Sequence, residues 1–284
     1  MTPDDLLARC TFPEAGTDVT CAVSGGPDSL ALLALATAAD CRVTAIHVDH
    51  HLRPESGTEA ALVAAAADRF GAAFDARSAP VAPGPNLEAR ARERRWSVLP
   101  KDALTGHTAD DQAETVLLNL LRGAGLDGLG GMSAERHPLL GLRRSETRAL
   151  CDDLGLVPVI DPMNDDARFR RTRVRHELLP LLDAIAERDV ALLIARQADR
   201  LRDDAGFLDE LAAALDPTDA RALAAAPPVL ARRAVRRWLA GEHPPDAATV
   251  DRVLAVAALE ARACDVGGGR RVRRTQGRLV LERG

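Results

Sequence analysis

Short apolar runs alternate with longer amphipathic stretches through the first half of the chain. Runs at 18–23 and 42–50 are apolar and rich in Val, Ile and Thr, and 72–80 and 102–107 are weaker runs of the same kind. Their length and their polar or glycine-containing ends predict strands. Between them, 28–39, 56–70, 86–98 and 108–122 carry the composition and periodicity of helices. Strand and helix in strict alternation predict an α/β fold, a doubly wound parallel sheet with helices on both faces. Such sheets bind ligands at the carboxyl ends of their strands. Beyond Arg122 come a glycine-rich loop (123–132), a helix at 145–154, an Arg-dense segment and a long helical connector at 187–215. The expected domain division is 1–187 and 188–284.

Composition narrows the class. The 284 residues contain 46% hydrophobic side chains, enough for a packed core, and no apolar run of the ~18–20 residues a membrane span needs. No membrane partner is therefore expected. The acidic start, Met1-Thr2-Pro3-Asp4-Asp5, lacks the basic region of a secretory signal. Five cysteines, at 10, 21, 41, 151 and 264, form no C-x-x-C pair. This is the usage of a reducing compartment, and a cytoplasmic location is expected. The net charge of −5 argues against wholesale coating of nucleic acid, but its distribution is uneven: residues 217–284 hold 13 basic and 7 acidic side chains. A basic rear piece can touch phosphates while the front stays acidic.

The first strand runs into Ser24-Gly25-Gly26-Pro27-Asp28-Ser29 and then a helix. A helix N-terminus offers unpaired N–H groups and a positive dipole end, glycines admit an anion close to the backbone, and Pro27 suits the first helical turn. A bare Gly-Gly turn with two capping side chains would look similar. The lysine-bearing loop G-x-x-x-x-G-K-S/T is absent, and the literal G-x-G-x-x-G at Gly123–Gly128 follows a helix rather than a strand. The whole S-G-G-x-D-S string resembles the PP-loop of the ATP pyrophosphatase superfamily. That resemblance implies ATP bound by Ser24, Gly25, Gly26, Pro27, Asp28 and Ser29, with Asp28 placing Mg²⁺.

Four more segments, IHVDHHLRPES (46–56), EARARERRW (88–96), GHTADDQAETVLLNLLRGAGLDGLGGM (106–132) and HPLLGLRRSE…DPMNDDARFRRTRVRHELLPLL (137–182), resemble one branch, the tRNA(Ile)-lysidine synthase family. So, near the end, does GGGRRVRRTQGRLVLE. The likeness implies a PP-loop ATP-binding catalytic domain, then a helical connector with a small C-terminal α+β substrate-binding domain. It implies as partners free L-lysine and the minor tRNA(Ile) with a CAU anticodon, and leaves a homodimer open. His137, Thr172 and Trp96 stand where that family often has a basic residue, Asn and Tyr. The chain is also shorter than members with a further C-terminal domain.

Within these segments, His47, Asp49 and His51 share one strand face, yet His51 lies beyond the strand and a flat strand rarely converges three ligands, so no transition-metal site is expected. The resemblance instead puts Asp49 beside the adenosine of ATP. His107, Asp111 and Glu114 follow one helix face. Thr108 and Asp111 also read as a local capping box, which leaves Glu114, one turn deeper, unexplained. A lysine pocket needs carboxylates, and an ε-amine of ordinary pKa ~10.4 must lose a proton before attack. The resemblance places Asp28, His107, Asp111 and Glu114 at the reaction, with Asp111 and Glu114 on lysine and His107 on the nucleotide. Arg92 and Arg95, then Arg171, Arg173 and Arg175, then Arg236 and Arg237, are expected RNA or phosphate contacts, since planar guanidiniums suit them. Competing readings are a tRNA thiolase, an amide-forming adenylating enzyme, and an RNA-binding module with a degenerate ATP fold.

Overall fold

The structure, a computed structural model, describes residues 2–51, 56–82, 84, 87–159, 169–241 and 244–283. Two compact units emerge, Met1–Arg200 and Leu201–Gly284.

In the first unit, β1 (Asp18–Ala22), β2 (Arg42–Asp49), β3 (Ala73–Ser78) and β4 (Leu104–Thr105) form one parallel sheet in the order β3-β2-β1-β4. The chain steps outward from β1 to β3 and then returns to the far side of β1. The β1–β4 junction is therefore the point where the winding reverses, the position at which open α/β sheets leave a crevice.

The period-two alternation of the strands supplies both faces. Val19, Cys21, Val43 and Ala45 enter a core cluster with Leu6 of α1 (Pro3–Leu7), the helix α2 (Pro27–Ala38), Val63 of α3 (Ser56–Arg69) and Leu150 of α7 (Arg144–Asp153). Ile46 belongs to a separate cluster with Leu99 and Ala103, against which Ala22, Val48 and Trp96 of α4 (Leu87–Val98) pack. Helices thus cover both faces. Every residue of α2 from Ser29 to Ala36 is buried, which explains why this stretch is Ala and Leu throughout rather than amphipathic.

Two elements differ from the sequence expectation. The glycine-rich segment after α5 (Ala109–Leu121) is not all loop, because α6 (Leu126–Leu129) folds a single turn within it. The Arg-dense segment is helical: α8 (Arg170–Arg173), a π-helical turn (Val174–Leu178) and α9 (Leu179–Ala186) run on without a break. The DPMN loop expected before it lies outside the described residues. The next helix, α10 (Ala191–Ala213), contains the division between the units. Its first turns belong with the front unit because Val190, Ala191 and Ile194 pack on Ala113, Leu117 and Val174.

In the second unit, α11 (Ala220–Ala225), α12 (Pro228–Leu239) and α13 (Ala247–Ala257) share a core with an antiparallel sheet, β5 (Ala263–Gly267), β6 (Arg270–Thr275) and β7 (Arg278–Arg283). This is the small α+β architecture expected. The expected hairpin between β6 and β7 turns on Gln276 and Gly277, both with positive φ, the pattern of a type I′ turn. Among the described residues no helix is long and apolar enough to cross a membrane.

Candidate active site

At the carboxyl ends of β1, β2 and β4 lies a cavity of about 740 Å³, lined by Ser24, Gly26, Pro27, Asp28, Ser29, Asp49, Arg92, Arg95, Trp96, Thr105, His107, Asp111, Phe169, Arg171 and Arg175 among others. The glycine turn after β1 forms its floor. Gly25 has φ +88, a conformation L side chains rarely adopt, and an added Cβ would press on Val159 at 3.2 Å. Gly26 has no such constraint: its φ is −73, and an added Cβ would meet nothing nearer than Ser24 Oγ at 3.7 Å. Of the two turn glycines, the fold demands only Gly25. Ser29 ties the turn together, its hydroxyl donating to the Gly26 carbonyl at 2.8 Å and accepting from the Ser24 N–H at 3.2 Å. Among the described residues the N–H groups of Gly25 and Gly26 find no backbone acceptor, and with the N-terminus of α2 they form a turn of the kind that suits an anion. Across the reversal point Gly106 is also required, because a Cβ there would lie 2.4 Å from the Asp28 carbonyl oxygen.

Asp28, in the first turn of α2, accepts a hydrogen bond from the Thr147 hydroxyl and sits 3.6 Å from Arg144 Nε. Burial raises its pKa to about 6, with Thr147 and Arg144 pulling the other way. Asp111 divides its oxygens. Oδ2 accepts the N–H and hydroxyl of Thr108, closing the capping box, while Oδ1 meets Arg144 Nη2 at 2.9 Å and Arg171 Nη2 at 3.3 Å. The local reading of this residue, a capping box with Thr108, is therefore seen in the structure, and its second oxygen is turned to arginines. Burial opposes its ionisation, but Arg144 and Arg171 overcome that and hold the carboxyl well below the usual range.

Glu114 differs from the expectation. Its side chain is 0% exposed and does not line the cavity. Three guanidiniums close on it: Arg171 Nε at 2.6 Å, Arg175 Nε at 2.7 Å and Arg144 Nη1 at 3.3 Å. Its carboxylate faces arginines, and it is Asp111 that reaches the cavity. Arg171 and Arg175, expected to face RNA, point inward from the helical segment to this acid, four residues apart on one face. Arg173, between them, is exposed and pairs with Glu177 instead. Arg92 and Arg95 line the cavity. Arg236 and Arg237 belong to the second unit, where Arg237 donates to the Asp209 and Ala212 carbonyls. Asp49 lines the cavity with Oδ1 accepting the His51 N–H at 2.7 Å. His47 is a core residue, 2% exposed, with Nδ1 3.0 Å from the Val23 carbonyl. Residues 123–128, the literal G-x-G-x-x-G, are absent from the described lining.

Three residues that the sequence did not single out, Arg144, Thr147 and Thr105, join the site, with His137, noted in the sequence only as a departure from the family pattern. Arg144 joins Asp28, Asp111 and Glu114, and Thr147 holds Asp28. Thr105 and His137 stand beside His107. Burial lowers His107 to about 4, so it is a neutral imidazole at neutral pH. One signal for Arg144 was available: an arginine in the first turn of α7 opposes the helix dipole, which implies acidic partners elsewhere.

Comparison with known proteins follows the same division of the chain. A family model described as a PP-loop domain matches residues 5–182, and one described as the TilS substrate binding domain matches 219–280. The chain is 47% identical over 247 residues to the tRNA(Ile)-lysidine synthase of Nocardia farcinica, covering 80% of this chain and 77% of that protein. It is 47% identical over 243 residues to that of Rhodococcus erythropolis (78% and 73% covered), and 44% over 238 residues to that of Mycobacterium tuberculosis (76% and 73%). Among solved structures, a U34-tRNA thiolase from Methanococcus maripaludis aligns with a TM-score of 0.56 at 17% identity, covering 70% of this chain and 78% of that one. This last similarity shows the fold alone.

Proposed function

Because the chain belongs to the tRNA(Ile)-lysidine synthase family, we propose that it adenylates the wobble cytidine of the CAU anticodon of a minor tRNA(Ile) and then joins lysine to that base. The observation that carries this reading is the S-G-G-P-D-S cradle opening into a cavity whose walls combine acids, arginines and two of the chain's few aromatics, Trp96 and Phe169.

In the first step, cytidine O2 attacks the α-phosphate of ATP and pyrophosphate leaves. The Gly25 and Gly26 N–H groups, the α2 dipole and the hydroxyls of Ser24 and Ser29 hold the departing phosphates, and Asp49 stands at the adenosine end. Asp28 suits Mg²⁺, since a hard carboxylate beside the phosphates is the usual magnesium ligand set. Such an ion neutralises charge on the leaving group. A flipped base fits an anticodon loop, and the Trp96 ring, with Arg136 4.3 Å above it, offers a stacking surface.

In the second step, the lysine ε-amine attacks C2 and AMP departs. Asp111, which lines the cavity, meets the ammonium. Glu114 acts from behind, holding Arg171 and Arg175 against the cavity. His107, neutral and buried, addresses the phosphate of the adenylate. Arg236, Arg237 and the arginines of β6 supply tRNA backbone contacts from the second unit.

Among the described residues no cysteine lines the cavity, so nothing there favours sulfur transfer. The test is nucleoside mass analysis of minor tRNA(Ile) after incubation with protein, ATP and lysine. Lysidine at the wobble position, formed only when both small substrates are present, is the expected result. Pyrophosphate release driven by a sulfur donor or a small acid, without lysine, would overturn the assignment.

A further inference from the structure

At the cavity wall, two histidines share one hydroxyl. Thr105 Oγ1 lies 2.6 Å from His107 Nδ1 and 2.5 Å from His137 Nδ1, and the two Nδ1 atoms are themselves 3.2 Å apart. The rings meet edge to face, with centroids 4.8 Å apart and an interplanar angle of 87°. The backbone fixes this arrangement. Thr105 N–H donates to the Arg136 carbonyl at 2.9 Å, and His137 N–H donates to the Ala134 carbonyl at 3.1 Å. Thr105 and His107 line the cavity, whereas His137 is buried and stands behind them.

Proton bookkeeping restricts what this trio can do. A hydroxyl carries one proton, so Thr105 donates to only one Nδ1 and must accept from the other. Two Nδ1–H groups at this separation would point their protons at one another, and two bare Nδ1 atoms would oppose their lone pairs. The two neutral imidazoles must therefore hold opposite tautomers. His107 uses Nδ1 for this contact, which leaves Nε2 for a ligand.

We propose that His137 is a positioning residue: through the Thr105 hydroxyl it sets which ring nitrogen of His107 carries the proton, and so whether His107 Nε2 meets a ligand as a donor or as an acceptor. If His137 Nδ1–H donates to Thr105, Thr105 donates to His107 Nδ1, and Nε2–H becomes a donor suited to a phosphate oxygen. In the reverse chain, Nε2 is an acceptor suited to an amine or hydroxyl. The pairing makes the choice a joint property of the trio and not of His107 alone. The consequence for turnover rests on reading His107 as part of the active site.

The test uses the full chain labelled with ¹⁵N-histidine. Long-range ¹H–¹⁵N correlations distinguish Nδ1–H from Nε2–H tautomers, and His107→Gln and His137→Phe assign the two signals. The expected result is one histidine of each tautomer. Thr105→Val keeps the shape and removes the hydroxyl, and it should leave His107 as a tautomer mixture. Turnover should fall roughly tenfold or more with KM for ATP little changed. His137→Phe should reproduce both effects, and Thr105→Ser should restore both. Identical tautomers at 107 and 137 in the unsubstituted chain, or a His107 pattern unaltered by Thr105→Val, would overturn the coupling. A His107 tautomer that is released while turnover stays constant would instead remove His107 from the reaction and, with it, the positioning role.

Discussion

At the scale of single residues, the site separates what the fold requires from what a ligand requires. Gly25 answers to backbone geometry and Gly26 does not. Gly25→Ala should lower stability by about 1–2 kcal/mol, the cost of holding an L residue in the left-handed region. Gly26→Ala should melt like the unsubstituted chain yet lose ATP affinity, because its methyl group occupies space that a phosphate needs. Thermal melts beside ATP titration separate the two, and a Gly26→Ala protein that binds ATP normally would remove the phosphate from that position. Asp28 makes a different prediction. Its pKa is raised from 3.8 to about 6 by burial, so the folded state binds its proton more tightly than the unfolded chain. Stability from this group is complete below about pH 4 and is lost as pH rises through 6. At pH 8 the buried charge costs on the order of 3 kcal/mol. Asp28→Asn should therefore stabilise the protein at pH 8 by up to that amount, lose the advantage near pH 4, and abolish AMP formation. Urea melts at the two pH values check it.

At the scale of elements, the first turn of α5, the start of α7 and the helical segment around the π-turn are tied together by charge. Removing one partner from a buried ionic cluster costs more than the cluster contributes, because the remaining charges lose their compensation. Glu114→Ala, which leaves Arg171 and Arg175 facing each other, should lower stability by about 3–5 kcal/mol and raise KM for ATP or lysine through misplaced arginines. A variant with normal stability would show that the acid is not the anchor described. Asp111 acts in the opposite pH range to Asp28: its depressed pKa contributes stability above the unfolded value of 3.8, which is lost as pH falls below it. In the second unit, the β6–β7 turn places Gln276 at φ +51. Gln276→Asn creates the Asn-Gly pair that type I′ turns prefer, and a higher denaturation midpoint in urea is expected.

At the scale of the whole molecule, charge is divided between the ends of the chain. Residues 1–160 carry 15 basic and 22 acidic side chains, against 13 and 7 in 217–284. A protein that holds tRNA by its basic end should bind it with steep salt dependence, each phosphate contact contributing about one unit of slope. Arg236 and Arg271 are exposed. Arg236→Glu with Arg271→Glu should reduce that slope and raise KM for tRNA, while thermal stability and ATP affinity stay unchanged. A slope unaltered by the double substitution would move the RNA contact away from these two arginines.

The alternation of apolar runs and amphipathic stretches was sufficient to determine the parallel sheet, its helices and the strand–turn–helix at Ser24–Ser29, because each is set by neighbours a few residues apart. The same local logic made the capping box of Thr108 and Asp111 readable, along with the turn between β6 and β7. What the sequence alone did not decide was which charges meet. Arg144 and Glu114 are 30 residues apart, Arg171 and Glu114 are 57, and Thr147 and Asp28 are 119. A carboxylate in an apolar helix reads equally well as a lysine ligand or as an arginine anchor until the fold supplies its neighbours. Only the segment after α6, whose Arg136 carbonyl accepts the Thr105 N–H, brings His137 to Thr105 and sets a departure from the family pattern beside His107.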